Sequence, residues 1–341
     1  MKRLLATLLC VLLLGGCASV PKEPELKKYN ASFLTLFDTV TTITGFAESE
    51  EAFTVTAQAI HDDLLYYHQL FDIYNDYEGI HNLKTVNDNA GIAPVTVDPV
   101  VIELLTDCRS YYEATGGKVN VAMGSVLELW HIARNEGLDD PANAYLPDMA
   151  QLEAAAEHTS FDGVIIDREE GTVYLADPEM RLDVGAVAKG WSVQRVCEKA
   201  PEGLLISVGG NVCATGPKDE NGTPWVIGVQ DPDGGSDYLH TLYLTEGSMV
   251  TSGDYQRAYL VDGEIYHHII DPDTLYPSKY WRSVTVSCLD SGLADALSTA
   301  LFVLPLEAGQ TLLDALGAKA MWVAADGSIL YSEGFKDLIR S

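Results

Sequence analysis

The chain has 341 residues and carries 21 Lys and Arg against 50 Asp and Glu, a formal net charge of −29. A surface that acidic repels nucleic acid, which is excluded as a partner, and any anionic ligand needs a local cluster of cations to hold it. None of the six cysteines stands in CxxC or CxxH spacing, which argues against a zinc site.

In chain order, Lys2 and Arg3 precede an apolar run from Leu4 to Leu14, then Gly15, Gly16 and Cys17. A charged start, a short apolar stretch and small residues form a secretory signal, and about 20 apolar residues would be needed to span a bilayer. Cys17 after Leu-Gly-Gly resembles the lipobox of bacterial lipoproteins. The pattern predicts a signal peptide over 1–16, a lipidated Cys17 and a Pro-, Glu- and Lys-rich tether over 17–32. A domain over 33–335 would then sit on the extracytoplasmic side of the cell membrane. For Cys108, Cys197, Cys213 and Cys288 the spacing leaves both disulfides and buried free thiols open.

Phe33 to Phe46 is rich in Thr, Val, Ile and Phe and predicts a strand or hairpin entry. Phe53, Ala57, Ile60, Leu64 and Tyr67 keep helical spacing, which predicts a helix from Glu50 to Tyr74. Asp98 is placed to cap a second helix, with Pro99 in its first turn and Gly116-Gly117 past its end. Val119 to Leu146 reads as irregular. Short strands follow at 163–166, 172–175, 204–208, 225–229, 238–244, 258–261, 265–270 and 284–287. A helix over 186–199 interrupts the series, and a helix pair between Leu293 and Leu316 comes after it. Hairpin succession with few helices predicts an α+β fold with mixed, largely antiparallel sheets and flanking helices.

Five clusters combine glycine or polar residues in patterns suited to chemistry. In RLDVGAVAKG (Arg181 to Gly190) a strand runs through Gly185 into a helix start with Lys189 in its first turn, an anion cradle or a plain strand-to-helix turn. ISVGGN (Ile206 to Asn211) allows close backbone approach to a ligand, or a tight hairpin turn. VTSGDYQR (Val250 to Arg257) offers Thr251, Ser252 and Asp254 around Gly253. In YHHIIDPDT (Tyr266 to Thr274), His268 and Asp271 flank two apolar residues, and a histidine alone is more often structural. Asp295 and Thr299, four apart on a probable helix, share a face and suit a hard Mg²⁺ ion, or else a cap and a core threonine.

The order of these pieces resembles the ApbE family, the FAD:protein FMN transferases. The matching strings are DVGAVAKG, ISVGGN, WVIGVQDP, TSGDY, HIIDPDT and ADALSTALF, spread over roughly residues 33–330. The resemblance implies two intimately joined lobes with FAD between them and Mg²⁺ at its diphosphate. It implies Asp295, Thr299 and the Ala186 carbonyl as metal ligands. Tyr74, Asp183, Lys189, Gly209, Gly210, Ser252, Gly253 and Asp254 would line the FAD site, with His268 there as the catalytic histidine.

The implied reaction transfers FMN from FAD to a Thr or Ser hydroxyl of an acceptor protein and releases AMP. Acceptors would be membrane electron-transport subunits, such as those of sodium-pumping quinone reductases and Rnf-type complexes. A Mg²⁺-dependent FAD pyrophosphatase and a non-enzymatic flavin-binding lipoprotein are the alternatives. The chain departs from the family pattern at Phe37-Asp38-Thr39, where Met-Gly-Thr is usual, and at Tyr77-Glu78-Gly79-Ile80. It departs again at Val119 to Val126, and at Leu275, where glycine is usual.

Overall fold

The computed structural model describes residues 26–340, apart from residues 35 and 236. The predicted signal segment, Cys17 and most of the tether lie outside the described residues.

β1 (Lys27–Leu34) and β2 (Val40–Ala47) form an antiparallel hairpin with Lys27 opposite Ala47. Ser49 caps α1 (Glu50–Phe71), which turns Phe53, Ala57, Ile60, Leu64 and Tyr67 inward as its spacing predicts. Each such apolar side chain contributes about 1.5–3 kcal/mol on burial. The helix ends three residues before the predicted Tyr74 because Asp72 competes for backbone N–H groups. Its Oδ1 accepts from Tyr74 N at 2.6 Å and Asn75 N at 3.0 Å, which turns the chain.

α2 (Leu83–Asp88), β3 (Val95–Thr96) and α3 (Pro99–Ala114) follow, with Asp98 accepting from Val100 N at the start of α3 as expected. The stretch predicted as irregular holds α4 (Gly124–Asp139). Val126, Trp130, Ala133 and Gly137 form its buried stripe, but a glycine at each end disguised the pattern. Both glycines serve contact: a Cβ at Gly124 would meet Arg181 O at 2.5 Å, and one at Gly137 the Tyr259 ring at 2.8 Å.

α5 (Met149–Ala156), β4 (Val164–Asp167), β5 (Thr172–Leu175), α6 (Ala188–Lys199) and β6 (Leu204–Val208) come next. They are followed by β7 (Asn211–Ala214), β8 (Trp225–Gln230), β9 (Tyr238–Leu244), β10 (Gly247–Gly253), β11 (Tyr259–Val261) and β12 (Glu264–Tyr266). β13 (Trp281–Cys288), α7 (Ser291–Phe302), α8 (Leu306–Leu316), β14 (Lys319–Ala324) and β15 (Ile329–Tyr331) complete the order. The helix predicted from Ala186 starts at Ala188. The strand predicted over 265–270 leaves its ladder after Tyr266, because the His267 ring takes up local partners. Its Nδ1 accepts from Ile269 N at 3.2 Å and its Nε2 donates to Ser278 O at 2.7 Å.

Eight strands form one sheet in the order β1-β2-β6-β7-β10-β13-β14-β15, and every ladder among the described residues is antiparallel. α1, α6 and α7 lie in a row on it, over β1–β2, β6–β7 and β10–β13 in turn. Successive side chains alternate between faces. Val250 and Trp322 pack with the α7 core, whereas their neighbours Met249 and Met321 pack with Trp225 and Leu242 of the β8–β9 hairpin. Both faces of the central strands are covered. The predicted α+β class, with largely antiparallel sheets and flanking helices, is the observed one.

Candidate active site

The N-terminal end of α6 and the first turns of α7 meet at the floor of a cavity of about 570 Å³. Their close approach depends on Gly190: a Cβ there would meet Ser291 O at 2.3 Å and Asp295 Cβ at 2.4 Å. Gly190 N donates to Asp295 Oδ2 at 2.8 Å, so the carboxylate sits in the first turn of α6. Lys189 Nζ lies 3.7 Å from the same oxygen and donates to Gly185 O at 3.2 Å. Asp295 is buried, and burial raises its carboxyl above the ordinary value against the pull of Lys189 and the Gly190 N–H.

Thr299, one turn along α7, and Ala186 line the same cavity. Among the described residues no three His, Cys, Asp or Glu side chains gather in metal-binding geometry. A metal here would rest on one carboxylate plus hydroxyl and carbonyl oxygens. That donor chemistry fits a hard divalent ion, and a cation would offset the desolvation of Asp295.

β10 is held to this floor by hydroxyls. Ser252 Oγ and Ser298 Oγ are 2.8 Å apart, and Ser298 Oγ donates to the Asp295 carbonyl at 2.9 Å. His268 closes another wall. Its Nδ1 donates to Gln256 O at 3.1 Å, which leaves the lone pair of the neutral ring on Nε2. Burial, then the charges of Arg257 and Lys189, lower its pKa to about 3.

Tyr74, Asp183, Ala186, Lys189, Gly209, Ser252, His268, Asp295 and Thr299 line the cavity together. Gly209 and Gly210 are both left-handed (φ 55° and 91°) and form the two-residue turn between β6 and β7. Gly209 packs against Thr39, where a Cβ would meet Oγ1 at 2.6 Å, whereas Gly210 is outside the lining. Gly253 and Asp254 are also outside it. Asp254 Oδ2 pairs with Arg282 Nε at 2.9 Å, and Arg282 reaches Asp233 at 2.6 Å, so Asp254 ties the end of β10 to the loop after β8.

Several lining residues escaped the sequence reading as site residues: Lys118, Asn120, His131 and Arg257. Arg257 ends the VTSGDYQR string, so the signal was present there. His131 lay in the stretch read as irregular. Its Nδ1 is 2.8 Å from the Tyr74 hydroxyl, and its Nε2 is 3.9 Å from Asp183 Oδ2. Lys118, Lys189 and Arg257 give the cavity the local cations that the overall charge denies it.

Two departures from the family pattern occupy left-handed backbone. Asp38 has φ 54° and Leu275 φ 61°, a region where glycine carries no Cβ penalty. Both positions adopt a conformation that glycine favours, without the glycine.

A family model described as the ApbE family matches residues 37–322. The chain belongs to the ApbE family. It is 34% identical over 278 residues to the FAD:protein FMN transferase of Treponema pallidum (strain Nichols), covering 76% of this chain and 75% of that protein. It is 33% identical over 251 residues to the FAD:protein FMN transferase of Klebsiella pneumoniae (strain 342), covering 71% and 75%. The crystal structure of the ApbE protein from Thermotoga maritima matches at TM-score 0.81 and 31% identity, over 92% of this chain and 100% of that one. Flavin transferase ApbE from Vibrio cholerae matches at TM-score 0.75 and 22% identity, over 92% and 100%, a likeness of fold. The ApbE fold is therefore the frame in which these cavity residues stand.

Proposed function

We propose that this chain is an FAD:protein FMN transferase that moves FMN from FAD to a Thr or Ser hydroxyl of an acceptor protein, releases AMP, and needs Mg²⁺. Family membership supports the activity. The observation that carries the chemistry is the convergence of Lys189, His268, Asp295 and Thr299 on one cavity, from three separate segments of the chain.

The diphosphate of FAD would lie toward Lys189 and the start of α6, where a fixed ammonium and the helix dipole favour negative charge. Asp295, Thr299 and the Ala186 carbonyl would hold Mg²⁺, which supplies stabilisation of charge on the phosphoryl oxygens. The acceptor hydroxyl attacks the FMN-side phosphorus, and the bond to the AMP oxygen breaks. His268 Nε2 takes the hydroxyl proton. Its low basicity comes first from burial and then from Arg257 and Lys189.

The lipobox reading places the enzyme on the extracytoplasmic face of the membrane, tethered through Cys17, within reach of membrane electron-transport subunits as acceptors. The test incubates the full chain in detergent with FAD, Mg²⁺ and a candidate acceptor domain, beside Asp295→Asn and His268→Gln. Mass spectrometry follows the acceptor, and chromatography follows AMP and FMN. One FMN mass on the acceptor with equimolar AMP supports the transferase. AMP and free FMN that persist with every acceptor offered point to the pyrophosphatase, and unchanged FAD throughout rejects both enzymes.

A further inference from the structure

Tyr74 is held at both ends. Its backbone N–H donates to Asp72 Oδ1 at 2.6 Å, and its hydroxyl lies 2.8 Å from His131 Nδ1, its one side-chain hydrogen bond among the described residues. Tyr74 lines the cavity and is 62% exposed, so its ring is open to a ligand. His131 reaches it from α4, and the backbone sets that direction. Gly124 N donates to Arg181 O at 3.0 Å and Asp183 N to Val121 O at 2.8 Å, which ties the start of α4 to the segment before α6. His131 is seven residues after Gly124, two turns along and on the same face. There its Nε2 stands 3.9 Å from Asp183 Oδ2, while Asp183 Oδ1 accepts from Gly185 N at 2.8 Å. One imidazole joins the loop after α1, α4 and the entry to α6.

We propose that His131 is a positioning residue, which holds the Tyr74 ring as a platform for one of the two planar rings of FAD and restricts the Tyr74 hydroxyl to accepting hydrogen bonds. The proposal rests on the reading that FAD occupies this cavity. Burial lowers the His131 pKa from its ordinary 6.5, against the pull of Asp183, so the ring is neutral at pH 7. A neutral imidazole has one donor and one acceptor nitrogen. The Asp183 carboxylate favours the proton on Nε2, so Nδ1 accepts from the Tyr74 O–H.

The hydroxyl proton is then committed, and the Tyr74 oxygen offers the cavity only lone pairs. Those suit a ligand N–H, either the imide of isoalloxazine or the amino group of adenine. The Tyr74 and His131 rings stand 6.3 Å apart, centre to centre, with 49° between their planes. A flat heterocycle can stack on Tyr74 in that oblique corner. A tyrosine free to swing would lose rotamer freedom when the ligand binds, and the bond to His131 removes that cost beforehand.

The test is calorimetric titration of the full chain in detergent with FAD, FMN and ADP, each with Mg²⁺ and without acceptor. His131→Leu removes the acceptor at Nδ1, His131→Asn keeps an acceptor oxygen near that position, and Tyr74→Phe removes the hydroxyl. His131→Leu should weaken FAD binding about 3- to 10-fold, the worth of one neutral hydrogen bond, and His131→Asn should restore most of it. Tyr74→Phe should lose at least as much, and adding His131→Leu to it should cost nothing further. The half of FAD that shares the loss names the ring: FMN for isoalloxazine, ADP for adenine. Tyr74 lies at the surface, so Tyr74→Phe reads the same bond even where His131→Leu melts early. Unchanged affinity in His131→Leu and Tyr74→Phe overturns the proposal. So do a His131→Asn protein no better than His131→Leu, additive losses in the double variant, or equal losses for FMN and ADP. A wild type that binds none of the three ligands rejects the cavity as the FAD site, and this inference with it.

Discussion

Asp295 combines three demands in one side chain: it accepts the Gly190 N–H, faces Lys189 and remains buried. Its carboxyl is raised above the unfolded value of 3.8, so the ionised form at neutral pH weakens the fold. An amide of the same shape removes that penalty while keeping an acceptor for Gly190. Asp295→Asn should therefore retain or raise the melting temperature in metal-free buffer, yet lower FMN transfer by about 10²-fold or more. A variant that melts early would show instead that the charge holds the floor together.

His268 has the opposite sign. Its folded pKa, lowered to about 3 from 6.5, means that the unfolded chain binds the extra proton first as pH falls. Stability from its neutral form is complete above 6.5 and is lost as pH drops toward 3. His267 is lowered as well, by burial, and adds to the same trend. His268→Gln should flatten part of the fall in melting temperature between pH 6.5 and about 4, and reduce transfer by about 10²–10⁴-fold. An unchanged acid profile would mean that His268 titrates normally.

Between elements, close approach is set by small residues. A side chain at Gly190 has no space between α6 and α7, so Gly190→Ala should destabilise by about 1–3 kcal/mol in urea titration. Equal stability of the two proteins would mean that α6 and α7 lie farther apart at Gly190 than in this structure. Leu275 tests a different cost. It holds a left-handed conformation in the turn after Asp271, and its carbonyl accepts from Trp130 Nε1 at 2.9 Å. Leu275→Gly should be more stable than Leu275→Ala by about 1 kcal/mol, although glycine buries less. The reverse order would refute the assigned backbone.

At the scale of the whole molecule, the strongly negative net charge repels polyanions, while Lys118, Lys189 and Arg257 stand among Asp38, Asp72, Asp183 and Asp295 in the cavity lining. Anchoring belongs to this scale too. No helix among the described residues is long and apolar enough to cross a membrane. Membrane attachment as proposed depends on Cys17 and its lipid. In bacterial cells Cys17→Ala should abolish fatty-acid labelling and move the chain out of the membrane fraction. Persistent labelling would locate the lipid elsewhere.

The sequence by itself determined the fold class, the α1 stripe, the Asp98 cap and the family, since these follow from local periodicity, capping and motif order. Asp295, Thr299, Lys189 and His268 stood out in it as candidates, and the order of their strings, which resembles the ApbE family, gave them roles. It could not yield α4, whose glycines are explained only by Arg181 and Tyr259 packed against them. Nor could it tell Asp254, just past the end of β10 and turned to Arg282, from Ser252, on β10 and lining the cavity. The placing of Tyr74 beside His131 depends on which elements lie side by side. Contacts of that kind are long-range, and only the tertiary structure decided them.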